Sequence, residues 1–410
     1  MLQKNFSFGL LVTAIFIFGI VLRFYHFPII PPGLYPDETA IGYNAYSIIQ
    51  TGKDEYGVPM PLYFRSFDDY KMPGYIYTVA LVMKAAGTNA FAVRFPSALS
   101  GVVAIIALFF LVYQLSKNKF FAALTAFFLA VNPWHMFFSR TGYEVNMATS
   151  LLILGTLCFI LAINKKNNLL LFFLSVLSFV LALYTYNVTR LVAPLLFFSL
   201  VAMYFKKITM HSKLTIALLC GLFIAAMMPI VVTQFTLQKQ AGFASLGDAL
   251  LTGKVAKAEI LQTRSYFVGL PGIVQKILFN YWVLLFWKFL SNLITFFSTS
   301  FFFLVGADHP HENIGGFGMF YYADFPLIVY GAYEGIRKKA SFLYPFYLWF
   351  IFMLLVGGLI VAIPKDNAFG TRVYPVVIPL IVFSAFGMYQ LLENIVHMKN
   401  KTVKIAAGTG

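Results

Sequence analysis

Phe8-Gly9-Leu10-Leu11-Val12-Thr13-Ala14-Ile15-Phe16-Ile17-Phe18-Gly19-Ile20-Val21 is unbroken by charge and gives way to Leu22-Arg23-Phe24-Tyr25-His26. A signal peptide would end in a small-residue cleavage site, and none follows here. The block is therefore read as an uncleaved first span, with Lys4 holding the N-terminus inside. The next long apolar run starts near Ala92, so residues 28–90 form a large polar loop outside.

The 410-residue chain as a whole is consistent with that start. It is 60% hydrophobic and 11% charged, against roughly 25% charged in soluble domains. A soluble globular protein is excluded. Disorder is excluded as well, because 47 Phe and 24 Tyr supply far too much apolar surface. Further spans are predicted at 92–114, 120–132, 147–163, 168–184, 190–205, 214–235, 323–336, 342–362 and 373–392. The fold class is an all-α polytopic membrane protein of about ten transmembrane helices, each needing about 20 residues to cross. One membrane domain covers 1–398 and a cytoplasmic tail 399–410. Two large outer regions, 28–90 and 236–321, carry interfacial helices. The segment 277–303 is aromatic but holds Lys288, Ser291 and Asn292. It is read as interfacial or re-entrant, which keeps Arg337, Lys338 and Lys339 inside. No internal repeat is evident.

The net charge of +15 comes from short basic runs between apolar blocks. That is the pattern of cytoplasmic turns, and it argues against a nucleic-acid surface. Cys158 and Cys220 lie inside apolar blocks and form no disulfide framework or metal motif. The acids are informative. On this topology only Glu334 and Glu393 fall inside, and Asp37, Glu38, Asp54, Glu55, Asp68 and Asp69 crowd the first outer loop. Solvated loop surface would account for this. So would a carboxylate-based active site at the outer membrane face.

Asp37 and Glu38 follow Pro31-Pro32-Gly33-Leu34-Tyr35-Pro36, a run that ends one helix and fixes a turn. Thr39 to Ile49 then reads as a short interfacial helix. The two acids are either its cap and first turn or a general base near lipid. Lys71, before Pro73-Gly74, could meet a phosphate or pair with a neighbouring Asp. Arg94 and Arg140 sit at span ends, where snorkelling is the plain reading. Glu144 suits a helix start. Asp308-His309-Pro310-His311-Glu312-Asn313 has metal-capable side chains but no zinc spacing. His309 and His311 are the candidates if a divalent metal is used, and metal dependence stays open. Pro364 to Arg372 is a polar, basic outer loop suited to an anion. Asn187-Val188-Thr189 is a sequon on the outer side.

Together these motifs resemble the C-type superfamily of polytopic glycosyltransferases, in the branch of protein O-mannosyltransferases and lipid A aminoarabinose transferases. The resemblance covers nearly the whole chain. Tyr35-Pro36-Asp37-Glu38 with its following helix is similar to the family's acidic motif. Tyr70-Lys71-Met72-Pro73-Gly74-Tyr75 is similar to its Lys-Pro-Pro segment, here with a single Pro. Ala92 to Leu99 matches the start of the family's second span, and Asn132 to Arg140 with Glu144 its second acidic loop.

The resemblance implies a polyprenyl phosphate sugar donor, used at the outer face with inversion at the anomeric carbon. It implies Asp37 as base on the acceptor hydroxyl, with Glu38 and Glu144 orienting or polarising the site. Lys71, Arg94 and Arg372 become candidates for the donor phosphate, and Tyr35, Tyr70 and Arg140 further site candidates. The acceptor stays open among a lipid, a protein and a glycan, and the closely spaced inner turns with lysines point to a bacterial-type plasma membrane. The competing reading, a transporter or lipid flippase, expects functional acids near the bilayer midplane, and this sequence places almost none there. A non-catalytic assembly subunit is a third reading, under which Asp37 is dispensable.

Overall fold

The computed structural model describes residues 2–27, 29–66, 69–165, 168–209, 213–241, 253–359 and 370–408. Asp68, the 242–252 segment and Pro364 to Phe369 lie outside the described residues. The chain is helical almost throughout. Its elements are α1 (Leu2–Phe24), α2 (Pro36–Thr51), a hairpin of β1 (Phe64–Ser66) and β2 (Asp69–Lys71), α3 (Pro73–Ala86), α4 (Ala90–Ser116), α5 (Lys119–Val131), α6 (Pro133–Arg140), α7 (Glu144–Asn164), α8 (Leu169–Leu183), α9 (Thr189–Met203), α10 (Phe205–Thr209) and α11 (Lys213–Ala241). They continue with α12 (Gly253–Tyr266), α13 (Gly272–Leu278), α14 (Tyr281–Phe296), α15 (Asp324–Arg337), α16 (Tyr344–Leu359), α17 (Gly370–Val373) and α18 (Val377–Gly408).

The sequence sets many helix starts directly. Asn89, Asn118, Asn132 and Asn168 each accept a hydrogen bond from the amide three residues on, at 2.9, 3.0, 2.9 and 3.0 Å. These contacts satisfy donors that a helix leaves open at its first turn. Proline stands at the first position of α2, α3 and α6, where its missing N–H costs nothing.

Among the described residues, six helices are long and apolar enough to cross a membrane: 90–116, 144–164, 214–233, 281–304, 341–359 and 370–398. α5 and α6 form a further span bent by 57°, and 8–24, 169–183 and 189–203 are shorter apolar helices. The protein is thus a polytopic all-α membrane protein. Two expectations need adjustment. Residues 133–140, expected as loop, are helical, and the bend falls at Asn132-Pro133, where proline cannot complete the preceding helix. The expected span at 323–336 is the 14-residue α15, only about 21 Å long. Asp324 and Glu334 are buried on it. It packs on α18 through Gly331 and Gly387, whose absent side chains let the two backbones touch.

The 281–304 segment has the length to span. Residues 277–303 were expected as interfacial or re-entrant. Phe289 meets Gly358, Asn292 donates to the Gly358 carbonyl at 3.0 Å, and Phe297 meets both Gly357 and Phe350. The segment therefore packs along the last turns of α16. The same end carries Val373, which also faces Gly357.

The 28–90 region is ordered by its own small core. Ile41, Ala45, Phe64, Tyr75, Ile76, Val79 and Val93 pack α2, β1 and α3 against the start of α4. The sequence indicated only the first of these elements. The hairpin and α3 were not expected, because their apolar residues serve a local core rather than a span-length run.

Candidate active site

α2 opens the site. Its first turn presents Asp37 and Glu38 in adjacent positions, which a helix points about 100° apart. Their environments differ accordingly. Glu38 is fully buried. Its Oε1 accepts from Arg94 Nε at 2.7 Å and from the Gly142 amide at 2.7 Å. Its Oε2 accepts from Arg94 Nη2 at 2.8 Å and from the Tyr35 amide at 3.2 Å. A buried carboxylate needs such saturation. Gly142 leaves the room for this contact, because a Cβ would stand 3.2 Å from the Glu38 carboxylate.

Arg94, expected to hold a donor phosphate, is 1% exposed and turned to Glu38. It also donates to the Pro31 carbonyl at 2.7 Å and to the Gly33 carbonyl. The guanidinium's fork suits this multiple role. Arg94 therefore fixes the Pro31–Tyr35 turn and the start of α2. Arg140 differs from expectation in the same way. It donates to the carbonyls of Leu22 at 2.7 Å, Tyr25 at 2.6 Å and Ile30 at 3.2 Å. It closes the end of α1, where helix carbonyls lack partners.

Asp37 is half exposed, and its Oδ1 accepts from Lys71 Nζ at 2.8 Å. Lys71 is only 10% exposed and stands at the end of β2, so the hairpin delivers it. The next residues, Met72-Pro73, start α3. Tyr70 of the same strand offers its carbonyl to the Asn187 amide at 3.3 Å. Asn187, the sequon asparagine, thus belongs to this wall, and its Oδ1 is buried without a hydrogen-bond partner.

Tyr35 stacks near Tyr143 and His311, with ring centroids 4.9 and 5.9 Å apart. Among the described residues its hydroxyl is buried without a hydrogen-bond partner. Burial, then Tyr143 and the acids Glu144, Asp37 and Glu38, hold that phenol well above its ordinary range. Tyr143 donates to the His311 carbonyl at 2.6 Å, which ties residues 308–313 to the start of α7. Burial and the acids Glu312, Glu38, Asp37 and Glu144 raise its phenol too. Glu144 is 7% exposed at the first position of α7.

His309 and His311 have ring centroids 5.3 Å apart. Burial and the neighbouring His311 lower His309, while Asp37 opposes this, so the pair lies within the field of Asp37. Among the described residues no group of three His, Cys, Asp or Glu side chains could hold a metal ion.

Arg372 stands at the end of α17, beside Glu312 and Tyr186, both of which feel its charge. The structure therefore brings Asp37, Glu38, Lys71, Tyr35, Tyr70, Glu144, His309, His311 and Arg372 to one end of the bundle. Sequence reasoning did not single out Tyr143, Tyr186 or Glu312. Glu312 was visible only as part of a metal-capable run.

Residues 71–232 match the family model described as dolichyl-phosphate-mannose-protein mannosyltransferase. No curated protein sequence matches the chain. The crystal structure of ArnT from Cupriavidus metallidurans in the apo state is 13% identical with a TM-score of 0.54, covering 100% of this chain and 64% of that one. The same protein bound to undecaprenyl phosphate gives 13% and 0.52 over the same shares, 100% and 64%. The archaeal oligosaccharyltransferase AglB from Archaeoglobus fulgidus, in complex with an inhibitory peptide and a dolichol-phosphate, is 15% identical with a TM-score of 0.53, covering 96% of this chain and 52% of that one. The chain spans between half and two thirds of the length of these proteins. The fold is shared with ArnT and AglB. The family-model match over residues 71–232 supports the resemblance read from the motifs.

Proposed function

We propose that the protein is a membrane glycosyltransferase. It moves a monosaccharide from a polyprenyl-phosphate-linked donor to an acceptor hydroxyl at the extracytoplasmic face of the plasma membrane, with inversion. The observation that carries this reading is the Asp37–Lys71 pair at 2.8 Å, half open to solvent at the rim of an otherwise buried cluster. Asp37 is the accessible carboxylate and acts as base on the acceptor hydroxyl. Lys71 orients it and balances its charge. Glu38 and Arg94 hold the turn that aims it, because positioning is worth as much as chemistry in such a step.

Arg372 takes the donor phosphate, whose charge grows as the glycosidic bond breaks. A phosphate leaves without protonation, so one base suffices and no second carboxylate need act as an acid. Glu144 polarises the site from the start of α7. The apolar α14, with exposed Trp282, Phe286 and Trp287, forms part of a groove that keeps the polyprenyl tail in lipid. ArnT bound to undecaprenyl phosphate and AglB in complex with a dolichol-phosphate support a lipid-linked phosphate as the ligand class.

The test is transfer of radiolabelled sugar from polyprenyl phosphate donors by the purified protein, wild type against Asp37→Asn. Transfer by wild type, with a folded Asp37→Asn slower by about 10²-fold or more, is the expected result. Full activity in Asp37→Asn would reduce Asp37 to a helix cap. No transfer by wild type from any donor would favour a transporter.

A further inference from the structure

Glu312 has no role in the reading above. It is 6% exposed, deep between residues 308–313 and the short α17. Its Oε1 accepts from Thr371 Oγ1 at 2.8 Å, and its Oε2 accepts from the Thr371 amide at 3.2 Å. The Gly370 amide donates to it as well. Gly370 makes the approach close, since a Cβ would lie 3.2 Å from Glu312 Oε2 and 3.4 Å from Trp134 Nε1. The Thr371 side chain also faces the Tyr186 hydroxyl.

Arg372 follows Thr371 directly, in the first turn of the helical run 370–398. The amides of a first turn lack partners within the helix, so acceptors from outside fix how that turn starts. Here one such acceptor is the Glu312 carboxylate, 59 positions away in sequence.

We propose that Glu312 is a positioning residue of the transferase site: by clasping Gly370 and Thr371 it aims the Arg372 guanidinium at the donor phosphate. This rests on the proposed function, and the experiment separates the two. The full chain is placed in nanodiscs and its binding of undecaprenyl phosphate is measured, with undecaprenol as the tail-only control.

Glu312→Ala should weaken undecaprenyl phosphate about tenfold, the weight of one charge-assisted hydrogen bond. Undecaprenol binding should not change. Glu312→Gln, whose amide oxygen still accepts from Thr371 Oγ1, should stay within about threefold of wild type. The double variant Glu312→Ala/Arg372→Ala should bind no worse than Arg372→Ala, because residues acting through one another are not additive. If Glu312→Ala does not fold, Thr371→Val keeps the test decisive and should weaken phosphate binding in the same selective way.

Undecaprenyl phosphate affinity lost in Arg372→Ala but kept in Glu312→Ala and Thr371→Val would overturn the assignment alone. So would full additivity in the double variant, or equal loss of undecaprenol. Wild-type protein that binds undecaprenyl phosphate no better than undecaprenol would overturn the transferase reading, and the assignment with it.

Discussion

Lys71 Nζ stands 2.8 Å from Asp37 Oδ1, which joins two polar motifs of the 28–90 region into one unit. Asp37 lies in the first turn of α2 and Lys71 ends β2, so the pair forms only when the hairpin folds back onto the helix. In the proposed reaction Lys71 therefore acts through Asp37 rather than as a phosphate ligand of its own.

Lys71→Met is therefore expected to act on turnover. The rate constant kcat should fall roughly 10- to 100-fold while the donor KM changes by less than about threefold. Initial rates over a donor series check this. A variant that raises KM and spares kcat would return Lys71 to the phosphate.

Arg94 and Glu38 form a buried pair, 1% and 0% exposed. Arg94→Ala leaves the Glu38 carboxylate buried without its main partner. Breaking such a pair costs about 3–5 kcal/mol. Thermal unfolding in detergent should show a large loss, partly recovered by adding Glu38→Gln. A melting temperature equal to wild type would remove Arg94 from the scaffold.

Burial pushes the Glu312 carboxyl up from its ordinary 4.5 to about 7, against the pull of its Thr371 and Gly370 hydrogen bonds and of Arg372. Between those values the folded protein holds a proton that the unfolded chain has released. The stabilisation is complete below the unfolded value and is lost as pH rises through about 7. Glu312→Gln does not titrate, so the wild type should lose melting temperature relative to it between pH 5 and 8. Parallel curves for the two proteins would contradict the buried, titrating carboxyl.

Among the described residues the Tyr35 hydroxyl is buried without a hydrogen-bond partner. Removing an unsatisfied polar group is close to neutral or stabilising. Tyr35→Phe should hold or raise the melting temperature, so any loss of sugar transfer would report contact with substrate. A clear drop in melting temperature would show that the hydroxyl is used within the fold.

The small core under α2 shows where sequence periodicity stops being informative. Ile41, Ala45, Tyr75, Ile76 and Val79 are fully buried or nearly so, yet their stretches are too short and too polar to stand out beside the spans. Thr39 to Ile49 was legible as a helix from its apolar stripe. Pro73–Ala86 was missed, because the Pro-Gly start read as a turn and the run that follows is shorter than a crossing.

The sequence by itself determined the membrane class, the positions of nearly all apolar helices and the neighbourhood of the site. These follow from local quantities: apolar run length, proline and asparagine at helix starts, and acids gathered in one polar region. Tertiary structure alone decided which cation meets which carboxylate. Lys71 reaches Asp37 across 34 positions, Arg94 reaches Glu38 across 56, and Thr371 reaches Glu312 across 59. Arginines at span ends look alike in sequence, since each can extend toward water. Only packing turned Arg94 inward to Glu38 and Arg140 to the end of α1, and left Asp37 half exposed beside Lys71.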